Sequence, residues 1–215
     1  MANLPPWSFT MLSDASNCMK KAYHKYIAKD LPKEEKSREQ LHGIAVHEAF
    51  ERAINKGGWN EISTRYKALA DPFIALKATA EHKFGMSEDR KGEPFFGKPW
   101  GRGVCDVLVM PREDTAILAD WKTGKVREDP RELACQALLL KANYPKITRI
   151  VGAYVWLKED RLGEQYDLSN TDRAYYGTQA TLKEMRTCLD EDDWPASPNP
   201  LCGWCPVKSC AHNKS

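Results

Sequence analysis

Two apolar runs with the look of ordinary buried strands each carry an aspartate, and nothing else in the 215-residue chain restricts its fold as strongly. In Gly103-Val-Cys-Asp-Val-Leu-Val109 the charge of Asp106 sits mid-strand, where burial is costly enough to demand a partner. In Ala116-Ile-Leu-Ala-Asp-Trp-Lys122 the two-residue period sets Leu118, Asp120 and Lys122 on one face. The short polar link Pro111-Arg-Glu-Asp-Thr115 predicts an antiparallel hairpin centred near Glu113, with Asp106 opposite Asp120. Opposed residues on one face have Cβ atoms roughly 5 Å apart. Two carboxylates at that separation repel unless a proton or cation lies between them, and a hard divalent metal is the natural occupant.

The elements around this hairpin follow from periodicity and breakers. Helices are predicted over Phe9 to Lys29, with Ser13 or Asp14 as cap and Leu31-Pro32 as stop, over Ser37 to Lys56, closed by Gly57-Gly58, and over Ile62 to Lys77 around Pro72. Strands are predicted at Thr79 to Phe84, Gly103 to Met110, Thr115 to Trp121 and Arg149 to Lys158, with helices at Pro130 to Ala142 and Thr171 to Leu189. This order points to an α/β fold, a mixed central sheet flanked by helices, in one domain spanning 1–215. On the Ser37 helix the apolar residues Leu41, Ile44, Ala45, Val46, Ala49, Phe50, Ala53 and Ile54 cover most of the wheel. They leave a strip of Gln40, Gly43, His47 and Glu51, so His47 is expected in a buried helix.

Lys and Arg number 32 against 30 Asp and Glu, and a net charge of +2 excludes a uniformly basic surface while leaving room for a local basic groove. Lys20, Lys21, Lys25 and Lys29 line the first helix without an acid, interleaved with Tyr23, His24 and Tyr26, a pattern that fits single-stranded nucleic acid or, equally simply, a solvated face. No apolar stretch approaches the roughly 20 residues of a membrane span, and no leader pattern opens the chain, so a reducing, cytoplasmic setting is expected. The seven cysteines are odd in number, and Cys202, Cys205 and Cys210 crowd into a Pro- and Gly-bounded loop, which argues for metal ligation over disulfides. His212 would complete a Cys₃His zinc site, whereas Cys18 would complete four thiolates suited to an iron–sulfur cluster. Cys105, Cys135 and Cys188 fall within strand and helix patterns and read as buried small hydrophobes.

Gly43-Ile-Ala-Val-His47, Gly103-Val-Cys-Asp106, Asp120-Trp-Lys122-Thr-Gly124 and Gln136 resemble, in order and spacing, the motifs of RecB-like nucleases of the PD-(D/E)XK superfamily. The resemblance implies a restriction-endonuclease-like core in which His47, Asp106 and Asp120, with the backbone carbonyl of Trp121, bind Mg²⁺ or Mn²⁺. It further implies that Lys122 orients or activates the attacking water and that Gln136 is the following helix glutamine. Leu140 stands where many relatives carry a tyrosine, and Glu81 resembles an acidic position that relatives often have on the preceding strand. Lys125 and Arg127 would position a neighbouring phosphate. Ser8-Phe-Thr-Met-Leu-Ser13 with Asn17-Cys18-Met-Lys-Lys-Ala-Tyr23-His-Lys-Tyr26 resembles the opening of the [4Fe-4S] nucleases of the CRISPR-associated and AddB type. That likeness implies that Cys18, Cys202, Cys205 and Cys210 hold a cluster joining 1–30 to a cysteine-rich flap at 195–215. The late spacing, two then four residues, is shorter than the common two then five, which keeps Zn²⁺ on Cys202, Cys205, Cys210 and His212 as the alternative. The implied function is a metal-dependent DNA nuclease, an exonuclease on DNA ends or single strands, with partners in recombination, repair or phage-type DNA processing. A non-catalytic nucleic-acid-binding module on the same fold and an RNA nuclease are the competing expectations.

Overall fold

The structure, a computed structural model, describes residues 4–32 and 35–213. Chain contacts divide into two compact units, one made of the two chain ends up to Glu35 and from Tyr175 onward, the other of Lys36–Ala174.

The Lys36–Ala174 unit is built on a six-stranded sheet in the order β2-β1-β3-β4-β5-β6. Its strands are β1 (Thr79–Met86), β2 (Gly92–Glu93), β3 (Gly101–Arg112), β4 (Thr115–Lys122), β5 (Arg149–Trp156) and β6 (Arg161–Asp167). Only β4 and β5 run parallel. Parallel neighbours need a crossover, and α6 (Arg131–Asn143) supplies it. The β3–β4 hairpin forms as its polar link predicts, with Val109 facing Ile117, Leu108 facing Leu118 and Val107 facing Ala119.

One face of the sheet is covered by α3 (Arg38–Lys56) and α5 (Lys67–Ala75), which follows the short α4 (Glu61–Arg65). Val46, Phe50 and Ala70 pack there on Val107, Val109, Ala119, Trp121, Val155 and Leu157. The Trp121 ring stacks on Phe50 at 4.1 Å between centroids, so only its backbone is left for chemistry. On the other face α6 buries Leu133, Leu138, Leu139 and Leu140. Leu140 is therefore a core residue and cannot do what a substrate-facing tyrosine would.

Helix α3 starts at a Ser37 capping box, with Gln40 N–H donating to Ser37 Oγ and Ser37 N–H to Gln40 Oε1, and ends at Gly57, whose φ of 66° suits the left-handed cap. The expectation of burial around most of its circumference is corrected. Leu41 and Ile44 are exposed, and the fully buried positions are Val46, Ala49, Phe50 and Ala53, none of them in the first two turns.

In the unit of the chain ends, the anticipated helix from Phe9 is interrupted. α1 (Phe9–Asn17) is capped by Ser8, whose Oγ accepts from Met11 N–H at 3.3 Å, rather than by Ser13 or Asp14. Cys18 is extended (φ −168°, ψ 110°), after which α2 (Met19–Ala22) leads into a π-helical turn over Tyr23–Ala28 that stops at the left-handed Lys29. α7 (Asp172–Glu191) belongs to this unit from Tyr175 onward. Lys20 N–H donates to Pro195 C=O at 3.1 Å, and Tyr23 lies 5.2 Å from Trp194 between ring centroids, so the first helices hold the chain after α7. Among the described residues no helix is long and apolar enough to cross a membrane.

Candidate metal centre

A regular strand repeats every two residues, so Gly103 and Val107 belong on the same face of β3. They lie on opposite faces. A Cβ on Gly103 would meet Leu139 of α6, whereas Val107 packs with Val46 and Phe50 of α3. β1 switches at the same level: Ala80 pairs with Val107, while His82 and Phe84, paired with Cys105 and Gly103, direct their rings toward Tyr144 just after α6. The switch falls at the rung between Glu81 and Asp106, the one pair missing from an otherwise continuous register. Glu81 takes it up with a φ of 55°, a left-handed conformation that is strained for a residue with a side chain.

The switch brings three ligand-type side chains together. His47 Nδ1 lies 3.3 Å from Asp106 Oδ2 and 3.5 Å from Glu81 Oε1, and one donor atom from each of the three falls within 4.8 Å of the others. One imidazole nitrogen with two carboxylate groups is a donor set that Mn²⁺ accepts readily and Mg²⁺ accepts through its oxygens. Lys36, Gln40, Gly43, Ile44, Glu48 and Glu51 line the open groove above these residues.

The surrounding hydrogen bonds fix the carboxylates. Trp121 N–H donates to Asp106 Oδ2 at 3.0 Å, and Gln136 Nε2 donates to Asp120 Oδ1 at 3.3 Å. Lys122 Nζ stands 2.7 Å from Asp120 Oδ2 and 2.7 Å from Glu132 Oε2, above the Tyr154 ring at 5.2 Å. Glu132 was not foreseen, although it lies four residues before Gln136 on α6 and so shares that helix face, a spacing that could have found it.

Charge is unbalanced in this cluster. With all groups ionised, the four carboxylates of Glu81, Asp106, Asp120 and Glu132 exceed the two cations His47 and Lys122 by two charges, which is the charge of one divalent ion. Burial lowers the affinity of His47 for its proton, but Asp106 and Glu81 more than offset this and hold its pKa up at about 10. Burial first and the Asp106 charge second raise Asp120. Burial also raises Glu132, with Asp120 adding to it. Burial works against the Lys122 charge, yet Asp120 and Glu132 overcome it and keep the ammonium protonated. Lys125 and Arg127 are exposed in the segment after β4.

Cys18, the three late cysteines and the basic helix belong to the other unit. Cys18, Cys202, Cys205 and Cys210 are all free and half-buried, and they line one cavity with His212. Ser197 N–H approaches Cys18 Sγ at 3.5 Å and Asn199 N–H approaches Cys202 Sγ at 3.3 Å. Among the described residues these thiols do not draw together within 4.8 Å as the His47 group does. Cys105, Cys135 and Cys188 are buried, as small hydrophobes are. The lysine-lined helix is corrected: Asp14 is the acid that seemed missing. Its carboxylate takes Lys21 at 3.1 Å, Lys25 at 2.7 Å and the Tyr26 hydroxyl at 2.7 Å. A seven- to twelve-residue separation across the break at Cys18 hid these pairs from helix periodicity.

A family model described as the PD-(D/E)XK nuclease superfamily matches residues 78–210. No curated protein matches the chain. A solved structure titled "Crystal structure of SSO0001" aligns over 100% of this chain and 90% of its own, at 11% identity and a TM-score of 0.45.

Proposed function

Because the chain belongs to the PD-(D/E)XK nuclease superfamily, we propose that it is a Mg²⁺- or Mn²⁺-dependent DNA nuclease of RecB-like type, an exonuclease on DNA ends or single strands. The observation that carries this reading is the convergence of His47, Glu81 and Asp106 at the strand-phase switch, beside Asp120 and Lys122. His47, Glu81, Asp106 and Asp120, with the Trp121 carbonyl, would hold the metal. When bound, it supplies a hydroxide nucleophile near neutral pH and relieves charge on the phosphate.

The chain's own residues set the stage for that chemistry. Trp121 N–H and Gln136 each donate to one aspartate, which fixes how the two carboxylates point. Lys122, held between Asp120 and Glu132, offers a protonated amine to the scissile phosphate and to the water that attacks it. Lys125 and Arg127 would hold an adjacent phosphate.

In the unit of the chain ends, the proposal gives Cys18, Cys202, Cys205 and Cys210 a [4Fe-4S] cluster. Four free thiols on one cavity, two of them receiving backbone N–H groups, support it. The cluster would then tie 1–30 to 195–215 within a single nuclease domain. Service in recombination, repair or phage-type DNA processing, with protein partners, belongs to the same reading.

End-labelled single- and double-stranded DNA and RNA, incubated with Mg²⁺ or Mn²⁺, test the activity. Degradation of DNA from its ends by the native chain, and its loss in Asp120→Ala and Lys122→Ala, is the expected result. Equal degradation by native and variant chains would remove the site assignment, RNA cleavage alone would move the substrate, and no turnover at all would favour a binding module. Protein purified anaerobically is expected to be brown and to lose its colour in Cys18→Ala, whereas a colourless chain with stoichiometric zinc defeats the cluster.

A further inference from the structure

The strand-phase switch has an effect beyond the metal ligands. Past it, His82 and Phe84 turn toward Tyr144 after α6, so Lys83 between them stands on the other face of the sheet, the one that bears α3. Lys83 is two residues beyond Glu81, about 7 Å along the strand. The connection between β2 and β3 folds over this part of the sheet. Gly85 permits the approach, since a Cβ there would come within 3.2 Å of the C=O of Pro94, the first residue of that connection.

That connection carries Phe95 and Phe96, whose rings meet edge to face at 5.0 Å. Phe96 is 81% exposed, a large apolar surface open to solvent. Lys83 Nζ lies 5.2 Å from the Phe96 ring centroid and 5.9 Å from that of Phe95, and the Arg102 guanidinium lies 5.4 Å from Phe95. Neither Lys83 nor Arg102 is held by a carboxylate among the described residues, in contrast to Lys21 and Lys25, which Asp14 engages.

We infer that Phe95, Phe96, Lys83 and Arg102 form a docking platform for single-stranded DNA beside the metal centre, with a base stacking on Phe96 while Lys83 and Arg102 take the flanking phosphates. An exposed aromatic ring attracts any base face, and free cations next to it follow the backbone without reading sequence. The inference rests on the nuclease reading for its choice of substrate. It gives that reading a path, a strand leading across the platform toward Glu81 and Asp106.

The test is equilibrium binding of fluorescein-labelled oligothymidylate to the full chain in EDTA, so that turnover plays no part. Phe96→Ala is expected to weaken binding about tenfold, within the range of one lost base stack, and to leave the affinity for a blunt duplex of equal length unchanged. Lys83→Gln and Arg102→Gln are each expected to reduce the slope of log affinity against log salt by about 0.7, one phosphate contact on a single strand. Unchanged oligothymidylate affinity in Phe96→Ala with unaltered salt slopes would overturn the platform, as would equal losses on the duplex or tighter binding of oligouridylate. The two readings fail separately. A chain that degrades DNA yet binds the same with Phe96→Ala loses only the platform, whereas a chain that degrades nothing yet weakens tenfold loses only the nuclease.

Discussion

Glu81 is a residue under strain with a carboxylate at the place where metal ligands converge. Left-handed backbone costs a side-chain-bearing residue about 1 kcal/mol or more, and such strain persists where the surrounding structure imposes it. Glycine adopts the same φ without penalty. Glu81→Gly is therefore expected to raise unfolding free energy by about 1 kcal/mol in urea, while Glu81→Ala, which keeps the strain, leaves it nearly unchanged. Both variants should bind Mn²⁺ more weakly, as read by titration calorimetry. A Glu81→Gly chain no more stable than Glu81→Ala would show that the φ of 55° stores nothing. The sequence marks this position only as one acid among many, because a phase switch depends on two strands changing together and leaves no local signature. Asp106 and Asp120 were legible for the opposite reason: a charge inside an apolar run contradicts its own neighbourhood.

At the scale of elements, strands with continuous apolar character and helices with clear caps were legible, including the hairpin register and the Ser37 and Gly57 ends of α3. β6 was not, because it is an edge strand whose residues are mostly exposed and whose sequence, Arg-Leu-Gly-Glu-Gln-Tyr-Asp, carries no buried face. The break at Cys18 was equally silent, since nothing in the helical pattern of Phe9 to Lys29 is a breaker. Its consequence is the Asp14 cluster, which joins α1 to the π-helical turn. Burial pushes the Asp14 carboxyl up, but Lys25, Tyr26 and Lys21 outweigh it and leave the pKa below the usual aspartate value. A depressed folded pKa contributes stability that is fully present above the unfolded pKa of about 3.9 and is lost as pH falls through the folded value. Asp14→Asn is expected to cost about 2 kcal/mol at pH 7, for loss of charge-assisted hydrogen bonds to a largely buried carboxylate. The difference between native and Asp14→Asn chains should hold steady down to about pH 4 and shrink below it. A difference independent of pH would mean that Asp14 acts by shape and not by charge.

At the scale of the whole molecule, the candidate metal ligands and the thiols belong to different compact units. The sequence shows the terminal cysteines as a set, but the wider pairing of chain ends rests on contacts such as Lys20 with Pro195 and Tyr23 with Trp194, which no spacing rule encodes. A ligand stabilises what it binds in the folded state by an amount set by its concentration over its dissociation constant, about 2.7 kcal/mol at a hundredfold excess. Mn²⁺ ought therefore to act on the unit that contains His47, Glu81, Asp106 and Asp120. Hydrogen exchange read peptide by peptide resolves this, because protection reports local opening free energy. With Mn²⁺ at a hundredfold its dissociation constant, slow exchange should deepen in peptides from β1, β3 and β4, by up to about a hundredfold in rate. Peptides from α1, α2 and the 195–213 segment should keep their metal-free rates, and Asp106→Asn should abolish the effect. Protection appearing first around Cys202, Cys205 and Cys210 would instead place the Mn²⁺ site at the thiols and leave the four-carboxylate cluster to be neutralised by protons, with Asp120 and Glu132, whose burial already favours the neutral form, as the groups that take them.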